Sequence, residues 1–131
     1  MRVALGLGCD RGTPFETLAR AVNEALAAAG VGLDAVGAVA SIDLKEDEPG
    51  LAVLAAVHGW RIAFHPAARL AAIAVPNPSD TVRRYTGTPS VSEAAALIAA
   101  NAEQGALLVE KHKVRGPDGK NATISIARIT E

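Results

Sequence analysis

Residues 3–16 read VALGLGCDRGTPFE, an apolar run that ends in glycines and continues into a polar turn. Val3 to Leu7 has the length and composition of a buried strand. Thr13 and Glu16 have the Thr-x-x-Glu spacing of a capping box, and Pro14 stands where the first turn of a helix tolerates proline. This stretch therefore predicts a strand, a tight turn and a helix in direct succession.

The same alternation continues through the first half of the chain. Leu18 to Ala29 carries apolar residues at helical spacing, and Gly30 is a typical helix end. Val36 to Ile42 predicts a second buried strand, Leu51 to Val57 a helix, and Trp60 to Phe64 a third strand. Alternating strands and helices predict a parallel βαβ core with right-handed crossovers.

Prolines and glycines divide the second half into shorter elements. Short helices are predicted near Ala67 to Ala74 and from Thr81 to Tyr85, on either side of the proline-rich turn at residues 75–80. Ser90 and Glu93 form a second capping-box pattern, which opens an alanine-rich helix ending near Ala102.

The last two predicted strands, Ala106 to Val109 and Ala122 to Ile129, flank a loop rich in turn formers. No helix separates them, so they are expected to pair as an antiparallel hairpin. The expected fold is a three-layer αβα sandwich with a mainly parallel sheet of about five strands and this C-terminal hairpin. We expect one domain that spans residues 1–131.

Composition narrows the function classes. The formal net charge is -1 and aromatic residues make up 3% of the chain, a balance that argues against nucleic-acid binding. Cys9 is the single cysteine, so an internal disulfide is excluded and a reducing compartment is expected. No apolar stretch has the length of a signal peptide or a membrane span, which predicts a cytoplasmic protein without membrane contact.

Three polar loops follow predicted strands or helices and should meet at one edge of the sheet: Gly6 to Thr13, Ser41 to Pro49, and Pro76 to Ser79. In the first loop, glycines and a helix N-terminus favour an anion, and Arg11 could grip a carboxylate. The alternative is a tight turn before a well-capped helix. The loop is neither a dinucleotide fingerprint, because Arg11 stands where glycine is needed, nor a P-loop.

Three residues are candidates for chemistry. Cys9 lies beside a helix N-terminus, which can lower a thiol pKa, although it could equally be a small residue at a strand end. Asp43 or Glu48 could act as acid or base while Lys45 pairs with an anionic substrate, although such a charge run is usually a solvated loop. The histidines are too dispersed for a metal motif, so we expect no metal and no cofactor.

Several motifs occur together in one order along essentially the whole chain. They are GLGCDRGT at 6–13, ASIDLKEDEPG at 40–50, VPNPS at 75–79, GTPSVSEAAA at 87–96, KHK at 111–113 and ATISIAR at 122–128. In this order and spacing the sequence resembles the family shared by CobE and the C-terminal part of CbiG. Both are proteins of cobalamin (vitamin B12) biosynthesis.

The resemblance implies a role in building the corrin ring. CbiG opens a ring-A-derived lactone of a cobalt-precorrin with loss of a two-carbon fragment, so one expectation is a hydrolase of the cobalt-precorrin-5A type. The reaction of CobE is less clearly defined, and this activity does not transfer automatically. The alternative is a non-enzymatic carrier that hands a corrin intermediate to a methyltransferase or another enzyme of the pathway.

Corrin precursors are large, partly apolar macrocycles fringed with carboxylates, so their binding site needs a broad groove with backbone N–H groups and cations at its edge. Lysine and arginine residues from Lys111 to Arg115 could hold such carboxylates, or simply protect a strand edge. The expected contact residues come from the loops named above and from the start of the last helix and hairpin: Gly6, Gly8, Arg11, Gly12, Thr13, Ser41, Lys45, Asn77, Ser79, Ser90 and Lys111.

Overall fold

A computed structural model describes residues 1–130 and contains a mixed sheet of five strands in the order β3-β2-β1-β5-β4. The strands β1 to β3 pair in parallel, whereas β5 runs antiparallel to both β1 and β4. A parallel end and a C-terminal antiparallel hairpin are therefore present, as predicted. The strand bounds are β1 Val3–Cys9, β2 Val36–Ile42, β3 Ile62–His65, β4 Leu107–Arg115 and β5 Asn121–Arg128.

Helices cover both faces of the sheet, which confirms the three-layer arrangement. The helices are α1 Phe15–Ala29, α2 Pro49–His58, α3 Ala67–Ala71, α4 Asp80–Thr86 and α5 Val91–Ala100. Along β1, Leu5 and Leu7 pack into a core with α1 and α2, while Ala4 packs against α5 on the opposite face. Successive side chains of a strand point to opposite faces, so one short strand serves both cores.

The contact between β1 and α5 depends on a glycine. A Cβ placed on Gly6 would lie 1.8 Å from the carbonyl oxygen of Ser92 and 2.6 Å from the backbone nitrogen of Ala96. No side chain fits in that space, so Gly6 allows α5 to pack directly on the strand backbone. The structure thus gives Gly6, expected among the ligand contacts, a packing role beneath α5.

Both predicted capping boxes are wrong. The N-cap of α1 is Pro14, and Thr13 Oγ1 instead donates to the carbonyl of Asp10 at 2.7 Å. Ser90 is the N-cap of α5 by position, but its side chain makes no capping bond. Glu93 accepts hydrogen bonds from Asn77 rather than from the N-cap. In both places other hydrogen bonds take the side chain: Thr13 bonds to Asp10 in its own loop and to the carbonyl of Asn121, and Glu93 bonds to the proline-rich turn.

The first strand of the hairpin is longer than predicted. The expected strand Ala106 to Val109 becomes β4, Leu107–Arg115, which pairs with β5 through His112 opposite Ile124 and Lys113 opposite Thr123. The register shifts between Leu107 and Val109 and again between Val109 and His112. The predicted basic cluster therefore belongs to a strand, so its successive residues point to opposite faces of the sheet.

Candidate functional site

A groove of about 510 Å³ opens at the carboxyl ends of β1 and β2. Helix α4 and the N-terminus of α5 form one side of it, and the hairpin β4–β5 forms the other. Each of the three polar loops contributes at least one residue. The lining residues are Gly8, Cys9, Asp10, Ile42, Lys45, Ser79, Thr81, Val82, Tyr85, Thr86, Ser90, Val91, Ser92, Lys111, Lys113, Asn121 and Thr123.

Arg11 joins the first two loops to each other instead of lining this groove. Its Nη1 lies 2.6 Å from Asp47 Oδ1 and 2.7 Å from Glu48 Oε2, and its Nη2 donates to the carbonyl of Leu44. The hydrogen bond to Asp47 is the main reason why the pKa of Arg11 is raised and that of Asp47 lowered. The carboxylates of Asp47 and Glu48 thus neutralise Arg11, the residue that the sequence suggested would bind an anion of the ligand.

Glu48 holds the two loops together from inside. Its side chain is 2% exposed, and Oε1 accepts a hydrogen bond from the backbone N–H of Gly12 at 2.9 Å. Oε2 is close enough to Arg11 for an ion pair, although no donor is aligned on it for a hydrogen bond. The carboxylate predicted to be an acid or base is therefore placed as a structural link.

The other two catalytic candidates do not combine with Glu48 into a reactive group. Cys9 lines the groove, but burial raises the pKa of its thiol to about 11, an effect that outweighs the lowering by nearby Lys45. Of the two alternatives for Cys9, burial favours the small residue at a strand end, because at neutral pH the sulfur keeps its proton. Asp43 is exposed in a short 3₁₀ turn after β2 and lies apart from the groove lining.

Further predicted contact residues are used to shape the loops. Ser41 is buried and donates from Oγ to the carbonyl of Leu7 at 2.7 Å, which ties β2 to β1. Gly12 has a φ of 79°, in the left-handed region that favours glycine. Thr13 is 2% exposed and bonds within the first loop. These residues form the support behind the groove.

The proline-rich turn is held by a polar cluster around Asn77. Its Nδ2 donates to Glu93 Oε2 at 2.6 Å and to Glu110 Oε1 at 2.9 Å, and its carbonyl accepts from Lys111 Nζ at 3.0 Å. Glu93 is fully buried, so this cluster fixes the turn to both α5 and β4. Ser79 follows at the groove, where its Oγ accepts from the N–H of Val82 and caps α4.

The groove carries a local positive charge. Three lysines line it, Lys45, Lys111 and Lys113, against a single acidic residue, Asp10. The carboxylate of Asp10 is occupied by the backbone and side-chain N–H groups of Asn121, at 2.8 and 3.1 Å. Because the whole chain has a net charge of -1, this groove concentrates cations that the overall composition conceals.

The groove takes only part of the predicted basic cluster, and it includes Tyr85, which lay outside the predicted set of contacts. Lys113 points to the same face as Lys111, whereas His112 lies on the other face and its Nε2 is 2.8 Å from Glu24 Oε1 of α1. Had the predicted strand continued through residue 113, the alternation of its side chains would have placed Lys111 and Lys113 on one face and His112 on the other. Tyr85, which is 77% exposed at the groove, lies on α4 and follows no motif that would have indicated it.

In residues 1–130, no three histidine, cysteine, aspartate or glutamate side chains are grouped to hold a metal ion. None of the helices within the same range is both long enough and apolar enough to cross a membrane.

A family model described as Cobalamin synthesis G C-terminus matches residues 3–127. The chain belongs to this family. It is similar to the protein CobE of a Sinorhizobium species, with 43% identity over 113 residues, or 83% of this chain and 71% of that protein. The resemblance drawn from the motifs is thereby confirmed, as is membership of a cobalamin biosynthesis family.

Longer proteins contain the same region. The cobalt-precorrin-5A hydrolase of Priestia megaterium is 35% identical over 127 residues, which cover 97% of this chain but 32% of that enzyme. The hydrolase of Salmonella typhimurium is 36% identical over 116 residues, covering 88% of this chain and again 32% of the enzyme. The chain therefore spans about a third of the length of these hydrolases.

Solved structures share the fold. The crystal structure of CobE, a protein from the cobalamin biosynthetic pathway, matches with a TM-score of 0.82 and 36% identity, covering 98% of this chain and 91% of that one. A cobalamin biosynthesis protein, chiG, from Agrobacterium tumefaciens matches with a TM-score of 0.66 and 30% identity, covering 98% and 99%. The mixed α/β architecture is thus common to this family.

Proposed function

We propose that the groove binds a carboxylate-rich precorrin or corrin intermediate of cobalamin biosynthesis. The observation that carries this proposal is the position of Lys45, Lys111 and Lys113 around one groove in a chain whose net charge is -1. Membership of a cobalamin biosynthesis family supports the choice of ligand class. A cytoplasmic location is part of the same proposal.

The lining suits a ligand that is apolar in its ring and charged at its edge. Ile42, Val82 and Val91 offer aliphatic surface, and the exposed ring of Tyr85 offers an aromatic face at the groove. Lysines on the opposite wall can meet peripheral carboxylates. Sites for small organic ligands usually combine apolar walls with a few placed polar groups in this way.

The geometry favours binding and transfer over hydrolysis by the candidate residues. Cys9 keeps its proton at neutral pH, Glu48 is buried and links the first loop to the second through Gly12 and Arg11, and Asp43 is exposed and is not among the groove residues. The protein would then hold a labile intermediate and pass it to another enzyme of the pathway, such as a methyltransferase. Lactone hydrolysis is the second candidate, favoured by the similarity to two cobalt-precorrin-5A hydrolases.

Titration with cobyrinic acid, a cobalt corrin with free peripheral carboxylates, tests the binding proposal through the absorbance of the macrocycle. A ligand at about 100 times its dissociation constant should stabilise the folded protein by roughly 2.7 kcal/mol. Gly8→Val should block binding, because a Cβ at Gly8 meets nothing closer than 3.9 Å and the added methyl groups would occupy the groove.

Gly105→Val is the matched control, since a Cβ at Gly105 meets no atom within 4 Å and the residue is exposed outside the groove. Equal affinity in wild type and Gly8→Val would contradict the assignment of the groove. Mass analysis of the macrocycle after incubation with the biosynthetic lactone intermediate separates the two candidates. An unchanged mass favours the carrier, and a loss of two carbons favours the hydrolase.

A further inference from the structure

The N-terminus of α5 presents unpaired donors beside the groove. In the first turn of a helix the backbone N–H groups have no acceptor within the helix. Residues Val91, Ser92 and Glu93 occupy this turn, and no acceptor elsewhere in residues 1–130 pairs with their N–H groups. Ser90, the N-cap, makes no side-chain capping bond. The helix dipole adds a partial positive charge at the same point.

A second, independent observation comes from the hydroxyl of Ser90. This residue is 1% exposed and lines the groove, and its Oγ has no hydrogen-bond partner. Within the described part of the chain, the other buried side-chain atoms without a hydrogen-bond partner are Thr88 Oγ1 and Glu48 Oε2. Glu48 Oε2 has Arg11 as an ion-pair partner, so the uncompensated atoms both lie in the three residues before α5.

The hydroxyl groups of Ser92 and Ser125 are already committed to other partners. Ser125 Oγ approaches both the carbonyl of Glu110 and Ser92 Oγ, the latter at 2.8 Å. A hydroxyl has one proton, and a carbonyl can only accept, so Ser125 donates to Glu110 and Ser92 donates to Ser125. Ser90 Oγ has no hydrogen-bond partner, so its proton is free to be donated to a ligand, whereas the proton of Ser92 is already used.

We infer that the N-terminus of α5 is a carboxylate subsite, in which Ser90 Oγ and the first N–H groups of the helix receive one peripheral carboxylate of the ligand. Lys111 and Lys113, on another wall of the same groove, supply the compensating charge. An unpaired buried hydroxyl is unfavourable in the free protein and becomes favourable when an anion accepts its proton. The identity of the whole ligand rests on the proposed function, but the affinity of the subsite for a carboxylate does not.

Stability of the free protein separates this role from ordinary helix capping. Ser90→Ala should leave the midpoint of thermal unfolding unchanged or raise it, because it removes a buried donor without a partner. Ser79→Ala is the matched control, since Ser79 also lines the groove but caps α4 through the N–H of Val82. It should lower the midpoint. If Ser90→Ala lowered the midpoint of thermal unfolding by a comparable amount, Ser90 would be a capping residue and the subsite would be wrong.

Binding is measured with propionate, a small free carboxylate, by following the ¹H–¹⁵N resonances of Val91, Ser92 and Glu93. We expect these amides to shift on titration in the wild type, to shift much less in Ser90→Ala, and to be unaffected by the uncharged amide propionamide. If the resonances of these three amides did not shift on addition of propionate, the inference would be wrong.

Cobyrinic acid then distinguishes the two proposals from each other. Its affinity should fall about tenfold or more in Ser90→Ala, the loss typical of a hydrogen bond to a charged group. If propionate bound but cobyrinic acid did not, the proposed function would be wrong and the carboxylate subsite would still hold. If cobyrinic acid bound equally tightly to the wild type and to Ser90→Ala, the subsite would be wrong and the proposed function would still hold.

Discussion

The buried carboxylate of Glu48 accepts a hydrogen bond from the backbone N–H of Gly12, with 2.9 Å between Oε1 and N. The two residues belong to different loops, so this bond joins the ends of β1 and β2 into one unit. Arg11 reinforces the link from the exposed side through Asp47. Glu48, which was a catalytic candidate, and Arg11, which was an anion-binding candidate, therefore support the rim of the groove.

Glu48→Ala should destabilise the fold by about 3 kcal/mol, because it leaves the Gly12 N–H and the Arg11 guanidinium without their buried partner. Asp47→Ala is the control: it removes an exposed partner of the same Arg11, so its free energy of unfolding should stay close to the wild-type value. Urea unfolding measures both. Equal losses in the two variants would mean that Glu48 has no special role in joining the loops.

Gly6→Ala should be far more damaging than Gly8→Ala, although the glycines are two residues apart on one strand. The methyl group at Gly6 would lie 1.8 Å from the Ser92 carbonyl, so α5 would have to move, at a cost of about 3 kcal/mol or more. At Gly8 the nearest atoms are 3.9 Å away. Thermal unfolding of the two variants tests the difference, and similar midpoints would contradict the close packing of α5 on β1.

The first half of the fold was predictable because its signals are local. The strand Val36 to Ile42 was assigned with its observed bounds, since an apolar run between turn-forming residues has few other interpretations. Strand β4 was cut short because residues 110–115 are mostly charged, and an edge strand buries too little of either face to show a clear apolar alternation. The order of strands, with β5 beside β1, depends on distant pairings that no local pattern specifies.

The candidate site was less predictable, because its chemistry depends on partners distant in sequence. Arg11 alone looks like an anion-binding cation, and only the fold brings Asp47 and Glu48, both more than 30 residues away, onto it. The capping-box patterns failed partly for the same reason: Thr13 Oγ1 also reaches the carbonyl of Asn121, and Glu93 accepts from Asn77, and both groups are supplied by the tertiary structure. Lys45, Lys111 and Ser90 do lie in the groove, because each lies next to an element whose position was predicted.

The thiol of Cys9 should become reactive only in alkaline solution. Its pKa is about 11 in the folded protein, against 9.0 for an ordinary cysteine, because burial disfavours the thiolate. Alkylation by iodoacetamide at pH 8 should therefore be slow in the native protein and fast in urea. Rapid native alkylation at that pH would contradict the burial effect.

The same shift affects stability. Between pH 9 and 11 the unfolded chain loses the Cys9 proton while the folded chain keeps it, so this residue makes the protein less stable as pH rises through that window. At neutral pH, where both states carry the proton, it has no such effect. Cys9→Ala should show a smaller alkaline loss of stability than the wild type, measured by urea unfolding at a series of pH values.

Lys113→Gln should weaken the binding of cobyrinic acid by about three- to tenfold at low ionic strength, because it removes a groove cation that faces peripheral carboxylates. Arg61→Gln is the matched control, since it removes the same charge from an exposed residue just before β3, at the amino end of a parallel strand, whereas the groove lies at the carboxyl ends of β1 and β2. The difference between these variants should shrink as salt approaches about 1 M, where the Debye length is about 3 Å. Isothermal titration at two salt concentrations measures it. If Arg61→Gln weakened binding as much as Lys113→Gln, the attraction would arise from the net charge of the whole protein, and the lysines of the groove would have no particular part in recognising the ligand.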